Sequence, residues 1–129
     1  MSMPKDVLVV DDNANNVEVI HEILDGDYNV IDAANGWEAL EIAERLAPQF
    51  VLLDVMLPII DGYEVCRKMR QLPGMTRARI IIVSAKAMPS ERRLGLEAGA
   101  DDYLTKPFDD GELLSLLRQS EKAYSASLR

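Results

Sequence analysis

Five short apolar runs recur along this chain with longer amphipathic stretches between them: DVLVV (6 to 10), YNVIDA (28 to 33), FVLLD (50 to 54), RIIIVS (79 to 84) and DDYLTK (101 to 106). Each run reads as a strand. In the intervening stretches, which begin NANNVEV, NGWEAL, DGYEVC, MPSERR and FDDGEL, apolar residues return every third or fourth position, as in Val17, Ile20 and Leu24 or Leu113, Leu116 and Leu117. Those are helices. Five strands alternating with five helices specify βαβ units, hence a parallel sheet with helices on both faces. The expected fold is a single doubly wound α/β domain with the flavodoxin-like strand order 2-1-3-4-5. Runs 1, 3 and 4 are nearly continuous Val, Leu and Ile and belong at the centre, covered on both sides. Runs 2 and 5 carry more polar residues and belong at the edges. The closing SASLR is small and polar and is expected to fray.

A chain of 129 residues suits one domain. No apolar run approaches the roughly 20 residues of a membrane helix. The opening MSMPKDVLVVDD lacks the pattern of a secretory signal, which points to a cytoplasmic protein with no membrane role. The single cysteine, Cys66, is read as helix packing in a reducing compartment. A net charge of -8 opposes direct contact with nucleic acid phosphates. The basic residues Arg67, Lys68, Arg70, Arg77 and Arg79 are read as helix-surface solvation, and Trp37 and His21 as packing or solvated residues.

In open α/β sheets, ligands bind beyond the carboxyl ends of the strands. Here those ends carry Asp11 and Asp12 after the first strand, Asp54 on the third, Ser84 on the fourth and Lys106 after the fifth. Strand order places Asp54 between the acidic pair and the hydroxyl, with Lys106 reaching in from the edge. Three carboxylates packed together repel; protonation or a bound cation relieves that repulsion, and a hard divalent ion fits better here. Mg²⁺ fits an oxygen-only set better than zinc does, and its habit of adding a phosphate oxygen points to a phosphoryl group. Asp54 could then be the nucleophile that becomes an aspartyl-phosphate, with Mg²⁺, Lys106 and Ser84 neutralising the three phosphoryl oxygens. Taken singly each residue has a simpler explanation; Asp11 or Asp12, for example, could cap the helix that DDNANN begins.

The segments VLVVDDN, VLLDVMLPIIDGYE, IIIVSA and GADDYLTKPF resemble the response-regulator receiver domain of bacterial two-component signalling, over about residues 5 to 122. The resemblance implies a phosphorylation-activated switch rather than an enzyme in its own right. Asp54 would be the phosphoacceptor, and Asp12, Asp11, Asp54 and the backbone carbonyl of Met56 would hold Mg²⁺, Asp11 partly through water. Ser84 and Lys106 would contact the phosphoryl group, and Tyr103 would be the switch aromatic that turns inward when the Ser84 hydroxyl moves toward the phosphate. A cis peptide bond would precede Pro107. Gly62 has a structural role and is expected at positive φ in the loop after Asp61. The partners implied are a histidine kinase or histidine phosphotransfer protein and a downstream protein or fused output domain; a homodimer is compatible with the pattern. Met56 and Lys86 occupy the two positions the family uses to tune hydrolysis, and their side chains suggest a long-lived phosphorylated state. The competing reading is a Mg²⁺-dependent phosphohydrolase of the haloacid dehalogenase type. It needs an acid two residues after the nucleophile, where this chain has Met56.

Overall fold

The computed structural model describes residues 5–86 and 88–128; the opening MSMP segment and the last residue of SASLR lie outside that range. Strands β1 (Asp6–Val10), β2 (Asn29–Ala33), β3 (Phe50–Asp54), β4 (Arg79–Ser84) and β5 (Asp102–Thr105) alternate with helices α1 (Ala14–Leu24), α2 (Gly36–Leu46), α3 (Gly62–Arg70), α4 (Pro89–Glu97) and α5 (Asp110–Ser127). The sheet has the order β2-β1-β3-β4-β5, all pairs parallel.

Parallel strands buried on both faces produce two cores. Leu8, Val10, Val51, Leu53, Ile80 and Ile82 point to one face, where Ala39 and Ile42 of α2 and Val65, Cys66 and Met69 of α3 cover them. The alternate residues Val7, Val9, Phe50, Leu52, Ile81 and Val83 meet Ile20 and Leu24 of α1 and Leu113 and Leu117 of α5 on the other. Every residue of β3 is buried, which is why its sequence shows no polar alternation. Each fully buried Leu or Ile of β3 and β4 contributes about 2 kcal/mol by leaving water. The edge strand β2 exposes Asn29 and Asp32.

Helix starts are capped by side chains. Asn13, Asn35, Asp61 and Asp109 accept backbone N–H bonds from the first turns of α1, α2, α3 and α5, and Asp109 forms a reciprocal box with Glu112. The cap of α1 is thus Asn13, which leaves Asp11 and Asp12 for other work. Helix α4 begins at Pro89 with no side-chain cap, and Gly95 is its sole buried residue.

Four expectations are corrected. The closing segment continues α5 to Ser127 instead of fraying, because Tyr124 packs against Phe50 and carries the helix along the sheet. Trp37 is not a packing residue: it is half exposed, with the Lys68 ammonium over its ring. Arg70 and Arg79 are not merely solvated. Arg70 donates to the carbonyls of Gly99 and Ala78 at 2.6 Å and to Asp101 at 2.9 Å, while Arg79 pairs with Asp101 and Asp102, so the two pin the edge of the sheet opposite the strands' carboxyl ends. Gly62 does not adopt positive φ; the left-handed residue of that loop is Ile59, at φ 72°.

Candidate functional site

Asp54 is the last residue of β3, and the register that sets it opposite Val83 leaves Ser84 one step beyond it on β4. The residue is buried, at 8 % exposure. One oxygen accepts the Met56 N–H at 2.9 Å, and the other lies 3.3 Å from the Lys106 ammonium. Burial pushes the Asp54 carboxyl above its ordinary range, and the nearby Asp11 charge adds to that; the Met56 N–H and Lys106 oppose it.

Asp11 follows β1 directly and is also buried. Its Oδ1 accepts the Asn13 N–H at 2.9 Å, and its Oδ2 accepts from the Asn16 amide at 3.3 Å and from Lys106 Nζ at 3.4 Å. Asp12 is exposed beside it. One oxygen from each of Asp11, Asp12 and Asp54 lies within 4.8 Å of the others, so the three converge as the strand order requires. An oxygen-only group with two members desolvated suits a hard divalent cation.

Gly62 explains how α3 approaches this point. Its N–H donates to the Val55 carbonyl at 2.9 Å, and a Cβ there would stand 2.3 Å from the Asp54 carbonyl oxygen. Only glycine allows the helix to start against the strand end that carries Asp54, so the requirement is close approach rather than backbone angle.

Ser84 is fully buried, and its Oγ accepts the Lys86 N–H at 3.1 Å. Tyr103, expected to turn inward on phosphorylation, already points inward here, at 9 % exposure, and donates its hydroxyl to the Lys86 carbonyl at 2.8 Å. The two side chains therefore hold opposite sides of one residue in the connection from β4 to α4. The Lys106 N–H donates to the Ser84 carbonyl at 2.7 Å, and the Lys106–Pro107 bond is cis.

Three participants were not evident in the sequence. Tyr63 of α3 donates its hydroxyl to the Glu91 carboxylate of α4 at 2.8 Å, and burial together with that acceptor pushes its phenol well up. Arg92 lies over the Tyr103 ring at 5.4 Å and donates to Thr105 at 3.1 Å. For Tyr63 and Glu91, 28 positions apart, no local pattern signals the pairing.

The chain is also similar to known proteins. Residues 7–118 match the family model described as the response regulator receiver domain. Over 130 aligned residues the chain is 44% identical to the alkaline phosphatase synthesis transcriptional regulatory protein PhoP of Bacillus subtilis, covering 97% of this chain and 53% of that protein. It is 41% identical to the response regulator PleD of Caulobacter vibrioides, covering 87% of this chain and 25% of that one. The chain thus spans about half the length, or less, of these curated relatives. Among solved structures, a CheY-like receiver domain protein from Methanospirillum hungatei superposes with a TM-score of 0.90 at 28% identity, covering 97% of this chain and 99% of that one. The receiver domain of the sensor histidine kinase PA1611 from Pseudomonas aeruginosa, described with a magnesium ion coordinated in its active site cleft, superposes at 0.83 with 36% identity, covering 91% and 97%. With the family model spanning most of the chain and the strand order and acidic edge in agreement, this protein belongs to the response regulator receiver domains.

Proposed function

We propose that this domain is a phosphorylation-activated switch in which Asp54 accepts a phosphoryl group from a histidine kinase or histidine phosphotransfer protein. The observation that carries the reading is the Lys106 ammonium set 3.3 to 3.4 Å from both Asp54 and Asp11, a counter-charge aimed at a buried nucleophile. As the bond from the Asp54 carboxylate to phosphorus forms, the phosphorus–nitrogen bond of the donor phosphohistidine breaks and its electron pair returns to the imidazole. Lys106 and the Ser84 hydroxyl would each take a phosphoryl oxygen. Asp11, Asp12 and Asp54, with the backbone carbonyl of Met56, would hold Mg²⁺. Bound there, the ion would supply positive charge against the negative charge of the transferring group. Hard carboxylate donors fit that ion, and the magnesium described in the Pseudomonas aeruginosa receiver supports the choice.

Conversion of charge into shape follows from the shared hold on Lys86. When the Ser84 Oγ turns to the phosphoryl group, the Lys86 N–H loses its acceptor while the inward Tyr103 hydroxyl keeps the Lys86 carbonyl, so the connection into α4 rearranges about that residue. The altered face is read by a downstream protein or fused output domain; PhoP and PleD extend well beyond the part this chain matches. Chemistry is limited to the domain's own phosphorylation and dephosphorylation. The setting is the cytoplasm, which is consistent with there being no membrane-length apolar helix among the described residues. A haloacid-dehalogenase-like phosphohydrolase is not favoured, because Met56 offers no acid two residues beyond Asp54.

Incubation with Mg²⁺ and acetyl phosphate tests the reading, with intact-protein mass spectrometry as the readout. One phosphoryl group is expected on the wild type and none on Asp54→Ala or in excess chelator. Full labelling of Asp54→Ala would overturn Asp54 as the acceptor.

A further inference from the structure

Beside the acidic cleft, Lys86, Tyr63, Met56 and Asp12 line a recess of about 430 Å³. Lys86 has a partner there that the chemistry at Asp54 does not use. Its ammonium stands 4.0 Å from Oε1 of Glu91, a loose and half-exposed pairing. Glu91 itself is not loose. Its Oε2 accepts the Tyr63 hydroxyl at 2.8 Å, and its backbone carbonyl accepts the same hydroxyl at 3.3 Å. A carboxylate anchored to α3 thus holds, weakly, a lysine that borders the cleft.

We propose that Glu91, tethered by Tyr63, parks the Lys86 ammonium at the edge of the cleft and yields it to a phosphoryl group on Asp54, so that Glu91 and Tyr63 act as positioning residues for the lifetime of the phosphorylated state. The inference rests on phosphorylation of Asp54 and specifies how that state is protected. A dianionic phosphoryl group outcompetes one carboxylate held at 4.0 Å. The tether matters because it stops Glu91 from following the lysine. In hydrolysis a water oxygen bonds to phosphorus as the phosphorus–oxygen bond to Asp54 breaks. The electron pair stays on the Asp54 carboxylate and the water's proton leaves on the phosphate or in solvent. Lys86 over the phosphoryl group obstructs that water, whereas a carboxylate drawn in beside it would orient the water.

The variants therefore move in opposite directions. The experiment follows decay of acetyl-phosphate-labelled protein in Mg²⁺ after donor removal, for wild type, Glu91→Gln, Tyr63→Phe, Lys86→Ala and the Lys86→Ala/Glu91→Gln double variant. Glu91→Gln frees the lysine and should lengthen the half-life about threefold. Tyr63→Phe lets Glu91 follow it and should shorten the half-life about twofold, as should Lys86→Ala. In the Lys86→Ala background Glu91→Gln should add nothing. General loosening of α4 would move Tyr63→Phe and Glu91→Gln the same way, and that result overturns the proposal. So does a Glu91→Gln half-life equal to wild type, or a lengthening that survives loss of Lys86. A wild type that takes no label overturns the phosphorylation reading itself, a distinct outcome from labelled variants with equal lifetimes.

Discussion

Lys106 Nζ stands 3.3 Å from the Asp54 carboxylate across 52 positions of sequence, and the same ammonium lies 3.4 Å from Asp11. The lysine is the fixed positive charge of an edge that otherwise gathers carboxylates. Its removal therefore has two effects of opposite sign.

A lysine beside a cation site repels the cation and attracts phosphoryl oxygens. Lys106→Ala is expected to leave Mg²⁺ affinity unchanged or tighter, by up to about tenfold, while the response of the β4–α4 connection to phosphorylation is lost. Titration with Mg²⁺ and a reporter near Tyr103, before and after phosphorylation, separate the two. A severe loss of Mg²⁺ affinity would contradict this role.

Gly62→Ala should be among the most damaging substitutions in the chain. The added methyl would meet backbone, the Asp54 carbonyl at 2.3 Å and the Val55 Cα at 2.6 Å, and backbone cannot swing aside as a side chain can. A loss of about 3 kcal/mol is expected in urea unfolding. Phosphoryl incorporation should fall with it, because relief requires α3 or the end of β3 to shift.

Ile59 carries the opposite prediction. A β-branched residue at φ 72° is strained, and Ile59 is 81% exposed, so it has little packing to lose. Ile59→Gly removes the clash at some cost in unfolded-state entropy, for a net gain of about 1 kcal/mol. A higher urea midpoint with an unchanged slope would confirm it.

Cys66 should be silent to thiol reagents in the folded protein. Burial pushes its thiol from 9.0 to about 11, with Arg70 partly opposing the shift. At pH 8 roughly one molecule in a thousand would carry the thiolate, even before access is considered. A disulfide reagent should react fully only in denaturant. The linkage has a definite sign: above pH 9 the unfolded chain ionises first, so stability falls as pH rises towards 11. Cys66→Ala should flatten that decline.

Met56 is 61% exposed at the cleft and offers no useful hydrogen bond to an attacking water. Met56→Asn admits and orients water, so decay of phospho-Asp54 should quicken about threefold or more. A half-life equal to wild type would show that this side chain does not govern the lifetime.

Sequence alone determined the layers of this protein, because a parallel strand covered on both faces must be apolar throughout. The bounds of β1, β3 and β4 coincide with the runs DVLVV, FVLLD and RIIIVS for that reason. It also determined which polar residues share an edge, since in a doubly wound sheet every carboxyl end falls on one side. What it could not determine was any relation between helices, or between a helix and a loop. Helical periodicity says that one face is apolar but not whether a neighbour covers a given position, so Trp37 stands half exposed. Arg70 looked like one more surface cation until α3 was seated beside the turn before β5, where its guanidinium meets the Gly99 carbonyl. The pairing of Tyr63 with Glu91 exists only because α3 and α4 are brought together on one face of the sheet. The need for glycine at position 62 likewise lies in the strand end against which α3 starts, not in its own backbone angles. Such contacts join residues whose separation carries no period, and only the packed chain sets their distance.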